Sequence, residues 1–70
     1  MKLKDLMDVL YGDFTITAFT KSSEGTFFTV ITSDDFKDNE NQGWINRYYG
    51  YKVTSVMNLL NGLNVCCENN

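Results

Sequence analysis

The sequence predicts an α+β fold: an N-terminal helix packed on a four-stranded, mostly antiparallel sheet built from two hairpins, in the order α-β-β-short α-β-β. Three observations predict it. Apolar residues recur at helical spacing over the first ten positions, and from Phe14 the period changes to two. Two glycine-bearing reversals, Lys21–Gly25 and Asn61-Gly62, then separate runs rich in β-branched and aromatic residues. The chain has 70 residues, enough for a single domain over 1–70 and too few for a second. A chain of this length buries only about 60% of its unfolded surface, so its net stability is small.

Leu3, Leu6, Met7 and Leu10 stand at i, i+3, i+4 and i+7, which predicts a short amphipathic helix over 3–10, with Gly12 placed to end it. In the first hairpin Phe14, Ile16 and Ala18 point one way and Thr15, Thr17 and Phe19 the other. The cluster Lys21-Ser22-Ser23-Glu24-Gly25 turns the chain into a return strand, Thr26–Thr32. Ser33–Gly43 is rich in Asp, Asn and Glu and reads as a loop, although Ser33 is placed to cap a helical turn. In Trp44–Tyr51 the i+4 pairs Trp44/Tyr48 and Ile45/Tyr49 predict one short helix ending at Gly50. Residues 53–60 leave two readings open. Asn61-Gly62 predicts a hairpin in which Leu60 faces Leu63, Asn58 faces Val65 and Val56 faces Cys67. Val53, Val56, Met57 and Leu60 also fit a helical stripe, which the β-branched Val53, Thr54 and Val56 weaken.

Composition removes several functional classes. There is no histidine, which excludes Ser-His-Asp and Cys-His catalysis and zinc sites that use imidazole. Six basic against nine acidic residues give a net charge of −3, which argues against direct binding to nucleic acid or an anionic membrane. Asp5 and Asp8 interrupt the only stretch resembling a signal peptide, and no run approaches a membrane span, so a cytoplasmic protein is expected. Cys66 and Cys67 are adjacent and point to opposite faces of a strand. They cannot share one metal, and no activating neighbour makes either a nucleophile. The five glycines are scattered and form no phosphate loop. Neither enzymatic activity, a cofactor nor a metal is expected.

Two segments carry candidate binding residues. Asp34, Asp35, Asp38 and Glu40 lie within seven residues and are opposed only by Lys37. A calcium loop counted from Asp34 would place Asn39 where glycine is needed, and it lacks the closing glutamate. What remains is a patch that steers onto a basic surface, or a solvated loop. Trp44, Tyr48, Tyr49 and Tyr51, with Arg47 between them, are of the residue types that dominate binding hot spots. A small core uses the same types, so contact with a partner or another copy and core filling both stay open.

The opening M-K-L-K-D-L-M-D-V-L and the late V-T-S-V…N-G-L-N-V resemble small accessory proteins encoded by phages and prophages of Gram-positive bacteria. Many of these begin with an M-x-L-x-D-L-x-x-V-L helix and a hairpin, and close with a V-x-S-I…G-x-L-x-I hairpin. The resemblance covers the two ends of the chain, and the acidic segment and WINRYYGY depart from it. It implies an anti-CRISPR-like activity: stoichiometric inhibition of a bacterial immune effector, with no individual residue carried over. The resulting expectation is an acidic inhibitor that occupies a basic surface of a host protein through Asp34, Asp35, Asp38, Glu40, Trp44, Arg47, Tyr48 and Tyr49. The alternatives are a self-assembling accessory protein, such as a homodimer paired through its aromatics and sheet edge, and a small-ligand or nucleotide module at an oligomer interface. For the last, Arg47 and Lys52 are the nearest cations to the aromatics.

Overall fold

The computed structural model describes residues 1–60 and 62–69. A helix, α1 (Leu3–Met7), leads into the hairpin β1 (Phe14–Ser22) and β2 (Gly25–Thr32). A connection of short helical pieces follows: 3-10 turns at Ser33–Lys37 and Asn39–Asn41, the helix α2 (Gln42–Ile45), and a 3-10 turn at Asn46–Tyr48. The second hairpin is β3 (Lys52–Leu59) and β4 (Gly62–Glu68). The fold is therefore α+β, with the hairpin at 52–68 in place of the alternative helix.

The sheet runs β2-β1-β4-β3. Both hairpins are antiparallel, and they meet at a parallel seam between β1 and β4, with Phe14 beside Leu63, Ile16 beside Val65 and Ala18 beside Cys67. This seam puts the buried positions of the two central strands side by side on one face. Phe14, Ile16, Ala18, Ile31, Val65 and Cys67 form the sheet's half of the core. Leu3 of α1, Ile45 of α2 and Tyr48 supply the other half. The connection from Ser33 to Tyr51 has to travel from the β2 edge to the β3 edge, and it does so across this face, carrying Phe36, Trp44, Tyr48, Tyr49 and Tyr51 onto the core. Phe36 packs on Phe14 with ring centroids 5.5 Å apart. The N-terminus ties into the same layer: Leu3 N donates to Tyr51 O at 2.8 Å, and Val53 N to Met1 O at 2.8 Å.

Four local details differ from the sequence expectation. The first helix closes at Met7 instead of Leu10, because Gly12 (φ +75°) and Asp13 must turn the chain into β1 within a few residues. The expected loop at 33–43 is helical in part, since Thr32 and Asp35 form a capping box that starts the first 3-10 turn. The expected single helix over Trp44–Tyr51 is split into α2 and the following 3-10 turn. In the second hairpin Leu59 faces Gly62, Asn58 faces Leu63 and Val56 faces Val65, two positions away from the expected register. Asn61, the first residue of the expected turn, lies outside the described residues. The physical reason lies at Gly62, which is a strand residue with φ +123°. A Cβ there would sit 2.5 Å from the carbonyl oxygen of Asp13, and the next residue, Leu63, donates its N–H to that same oxygen. The glycine is held against β1 by a contact distant in sequence. A difference of two keeps Val56, Leu63, Val65 and Cys67 on one face. Leu60, expected opposite Leu63, falls outside the strand and is exposed, and a register irregularity between Val53 and Ser55 puts Val53 on the core.

Candidate functional site

The acidic and aromatic segments form one continuous stretch of the covering layer, and internal hydrogen bonds give it a defined shape. Asp35 accepts from Thr32 N at 2.8 Å and from Thr32 Oγ1 at 3.2 Å. Asp38 accepts from Glu40 N at 3.0 Å and so caps the second 3-10 turn. Asn41 joins the two segments: its Nδ2 donates to Asp35 O at 2.9 Å, and its Oδ1 accepts from Trp44 Nε1 at 3.0 Å. The tyrosines are anchored at their hydroxyls. Tyr48 pairs with Thr29 Oγ1 at 3.2 Å, Tyr49 donates to Gln42 Oε1 at 3.4 Å, and Tyr51 pairs with Thr20 Oγ1 at 2.6 Å. Ring stacking completes the layer, with Tyr48 edge-on to both Trp44 and Tyr51.

The eight residues singled out by sequence therefore occupy different environments. Asp34, Asp38, Glu40 and Arg47 are exposed, Asp35, Trp44 and Tyr49 are half-buried, and Tyr48 is buried. Asp34 pairs with Lys37 at 3.1 Å, both largely in water, which is worth about 0–1 kcal/mol. Asp34, Asp38 and Glu40 are thus the carboxylates turned to solvent, whereas Asp35 is tied to the backbone at the start of its turn. Asn41, which links the acidic turns to Trp44, carried no sequence signal of its own beyond standing three residues before an indole.

Sequence reasoning missed a second surface. On the face of the sheet away from the helical layer, Phe28, Val30, Met57 and Leu59 are exposed, with Phe19 between the strands that carry them. Phe19 and Phe28 are cross-strand partners with ring centroids 6.3 Å apart. The available signal was the run TFFTVIT, in which Phe27 and Phe28, like Val30 and Ile31, must point to opposite faces. At one end of this face Lys21 binds Glu68 at 2.9 Å, and its hydrogen bond holds the Glu68 carboxyl below the usual carboxylate range.

Cys67, on the covered face, is fully buried, and desolvation with help from the neighbouring Cys66 pushes its thiol up to about 11. It is therefore a protonated, inert core group at neutral pH. Cys66 is half-exposed on the opposite face. An open cleft of about 410 Å³ lies between Val9, Leu10, Tyr11 and Asp13 on one side and Asn58, Gly62 and Leu63 on the other. Among the described residues no group of three or more His, Cys, Asp or Glu is placed to hold a metal. No described helix is long and apolar enough to cross a membrane. Comparison with family models, curated proteins and solved structures finds no match.

Proposed function

We propose that this chain is a non-catalytic binding protein, an inhibitor of the phage-accessory, anti-CRISPR-like type, that docks its acidic turns on a basic surface of a bacterial host protein. The observation that carries this reading is the pre-organised acidic surface. Asp34, Asp38 and Glu40 face solvent on a backbone already fixed by the Asp35 cap, the Asp38 cap and the Asn41 bridge. Ordering this segment on binding costs little, and the charge favours fast encounter with a basic site. The exposed parts of Trp44 and Tyr49 lie next to it in the chain, and Arg47 adds a polar contact. The buried Tyr48 serves this surface by holding the layer in place.

The test is capture from lysate of a Gram-positive host carrying CRISPR and other defence systems, comparing the wild type with D34N/D38N/E40Q. Asp35 is retained so that the turn stays capped, and Asn at 38 still offers an acceptor to Glu40 N. The wild type is expected to retain one basic effector at low salt and lose it at high salt, and the variant to lose it at both. Capture of the same protein by the variant with unchanged salt dependence would overturn the reading.

A further inference from the structure

We infer that the uncovered face of the sheet is the interface with a second copy of this chain, the two sheets packing face to face. This stands apart from the acidic-turn reading, because the two surfaces lie on opposite sides of the molecule. The apolar residues of the face are large and spread across it: Phe28 is 66% exposed, Val30 47%, Met57 55% and Leu59 44%, on the two outer strands, with Phe19 on an inner one. They form two clusters, Phe19, Phe28 and Val30 towards one edge and Met57 and Leu59 towards the other, with Thr15, Thr17, Asn64 and Cys66 between them. Exposed apolar clusters on an isolated chain mark a contact surface.

The occupant follows from charge and area. The chain carries nine acidic residues, yet the four strands contain only one, Glu68, and Lys21 neutralises it on the same face, with Lys52 opposite it in the pairing of β3 and β4. The acidic turns belong to the helical layer instead. For a chain of net charge −3, this is the side on which two identical copies approach with least repulsion. For a basic partner it is the side with least to attract it. The molecule measures 35 × 27 × 19 Å. One side of a slab of those proportions carries roughly an eighth to a fifth of its 4851 Å² surface, on the order of 600–1000 Å², a range that includes the roughly 800 Å² per partner of a standard stable interface. Two sheets stacked about 10 Å apart around a two-fold axis would bury the apolar residues of both copies in one shared layer. Both acidic surfaces would stay outside, so the dimer would present two of them.

The experiment is mass measurement in solution across a dilution series of the full chain and of F28K/M57K, with alkylation of Cys66 as an independent probe of the face. Cys66 lies on the inner strand β4, paired with Ser55 on one side and Thr17 on the other. Cys67, buried beneath the helical layer, is the internal control. The wild type is expected at twice the 8.0 kDa chain mass, dissociating on dilution, with Cys66 reacting more slowly with iodoacetamide as concentration rises. F28K/M57K is expected at the chain mass, with Cys66 reacting at one rate throughout and an unchanged circular dichroism spectrum. A monomer at every concentration overturns the inference. So does a dimer that survives the two lysines, or one that leaves Cys66 freely reactive, because either uses another surface. Protection of Cys66 only when host lysate is added to a monomer assigns the face to a different protein and overturns it equally. If the double variant does not fold, the concentration dependence of Cys66 alkylation in the wild type decides alone.

Discussion

The two faces of the one sheet are built from the same strands with the same alternation, and at their centres they differ in burial. On the covered face Ile16, Ala18, Ile31, Val65 and Cys67 are wholly buried. On the other, each of the corresponding neighbours Thr15, Thr17, Val30 and Cys66 keeps contact with solvent. Composition and connectivity act together: the inner strands carry Phe14, Ile16, Ala18, Leu63 and Val65 on the covered face and Thr15, Thr17 and Asn64 on the open one. The N-terminal helix and the long connection from β2 to β3 both cross the same side, and among the described residues no segment crosses the other. Apolar content is therefore a poor guide to burial here: Phe28 and Ile31 lie three residues apart on β2, one exposed to water and one sealed from it.

This contrast can be tested by substitution. The largest effect is expected at Ile16, where truncation to Ala removes a fully buried side chain at the centre of the covered face. The cost should be about 3 kcal/mol, most of the stability of so small a domain, and a urea titration should show it partly unfolded without denaturant. Next is Gly62→Ala, which adds a Cβ 2.5 Å from Asp13 O at a residue with φ +123°. A loss of about 2 kcal/mol is expected from the strain and the clash, read as a lower melting temperature with weakened amide protection at Leu63. If Gly62→Ala leaves stability unchanged, the Asp13 contact does not set the register of the second hairpin.

Burial of the Cys67 thiol gives a pH dependence. Its folded value, about 11, lies above the value of 9.0 for a free thiol, so the fold favours the protonated form. The associated stability is complete below pH 9 and is lost as pH rises through 11. Melting temperatures measured over that range should fall more steeply for the wild type than for Cys67→Ala. Parallel curves would show that the thiol does not titrate in this way. Smaller effects belong to the acidic turns. Asp35→Ala, which removes the acceptor for Thr32 N, should cost about 1 kcal/mol, whereas Asp34→Ala, in water beside Lys37, should change stability by less than about 0.5 kcal/mol. The smallest change is expected for Val30→Ala on the open face, within about 0.5 kcal/mol when thermal unfolding is followed at the lowest protein concentration.

What could be read from sequence was what nearest neighbours decide. The alternation from Phe14 to Phe19 and the turn before Gly25 are local, and the first hairpin forms as read, with Ser22 facing Gly25. The capping pair Thr32 and Asp35 was equally local, yet it was masked by the Asn and Gly around it, which compete for loop conformations. The parallel seam and the two-residue register difference were not legible, because both depend on Asp13 and Phe14 meeting Gly62 and Leu63 across most of the chain. For the candidate binding residues, sequence located the acidic run but not which carboxylates face outward. That depends on the hydrogen bonds of Asp35 and Asp38. It could not separate core from contact among Trp44, Tyr48 and Tyr49, since that depends on which face the connection crosses.

The parallel seam also sets an order of events during synthesis. The hairpins are local and close quickly once their turns exist, but β4, the fourth of these strands in chain order, belongs in the middle of the sheet. Until residues 62–68 have left the ribosome, the inner side of β1 has no hydrogen-bonding neighbour, and Leu3, Ile45 and Tyr48 have only half a floor to settle on. A nascent chain thus carries a bare strand edge on β1 until β4 emerges, and a messenger truncated before Gly62 would yield a product prone to aggregate through that edge.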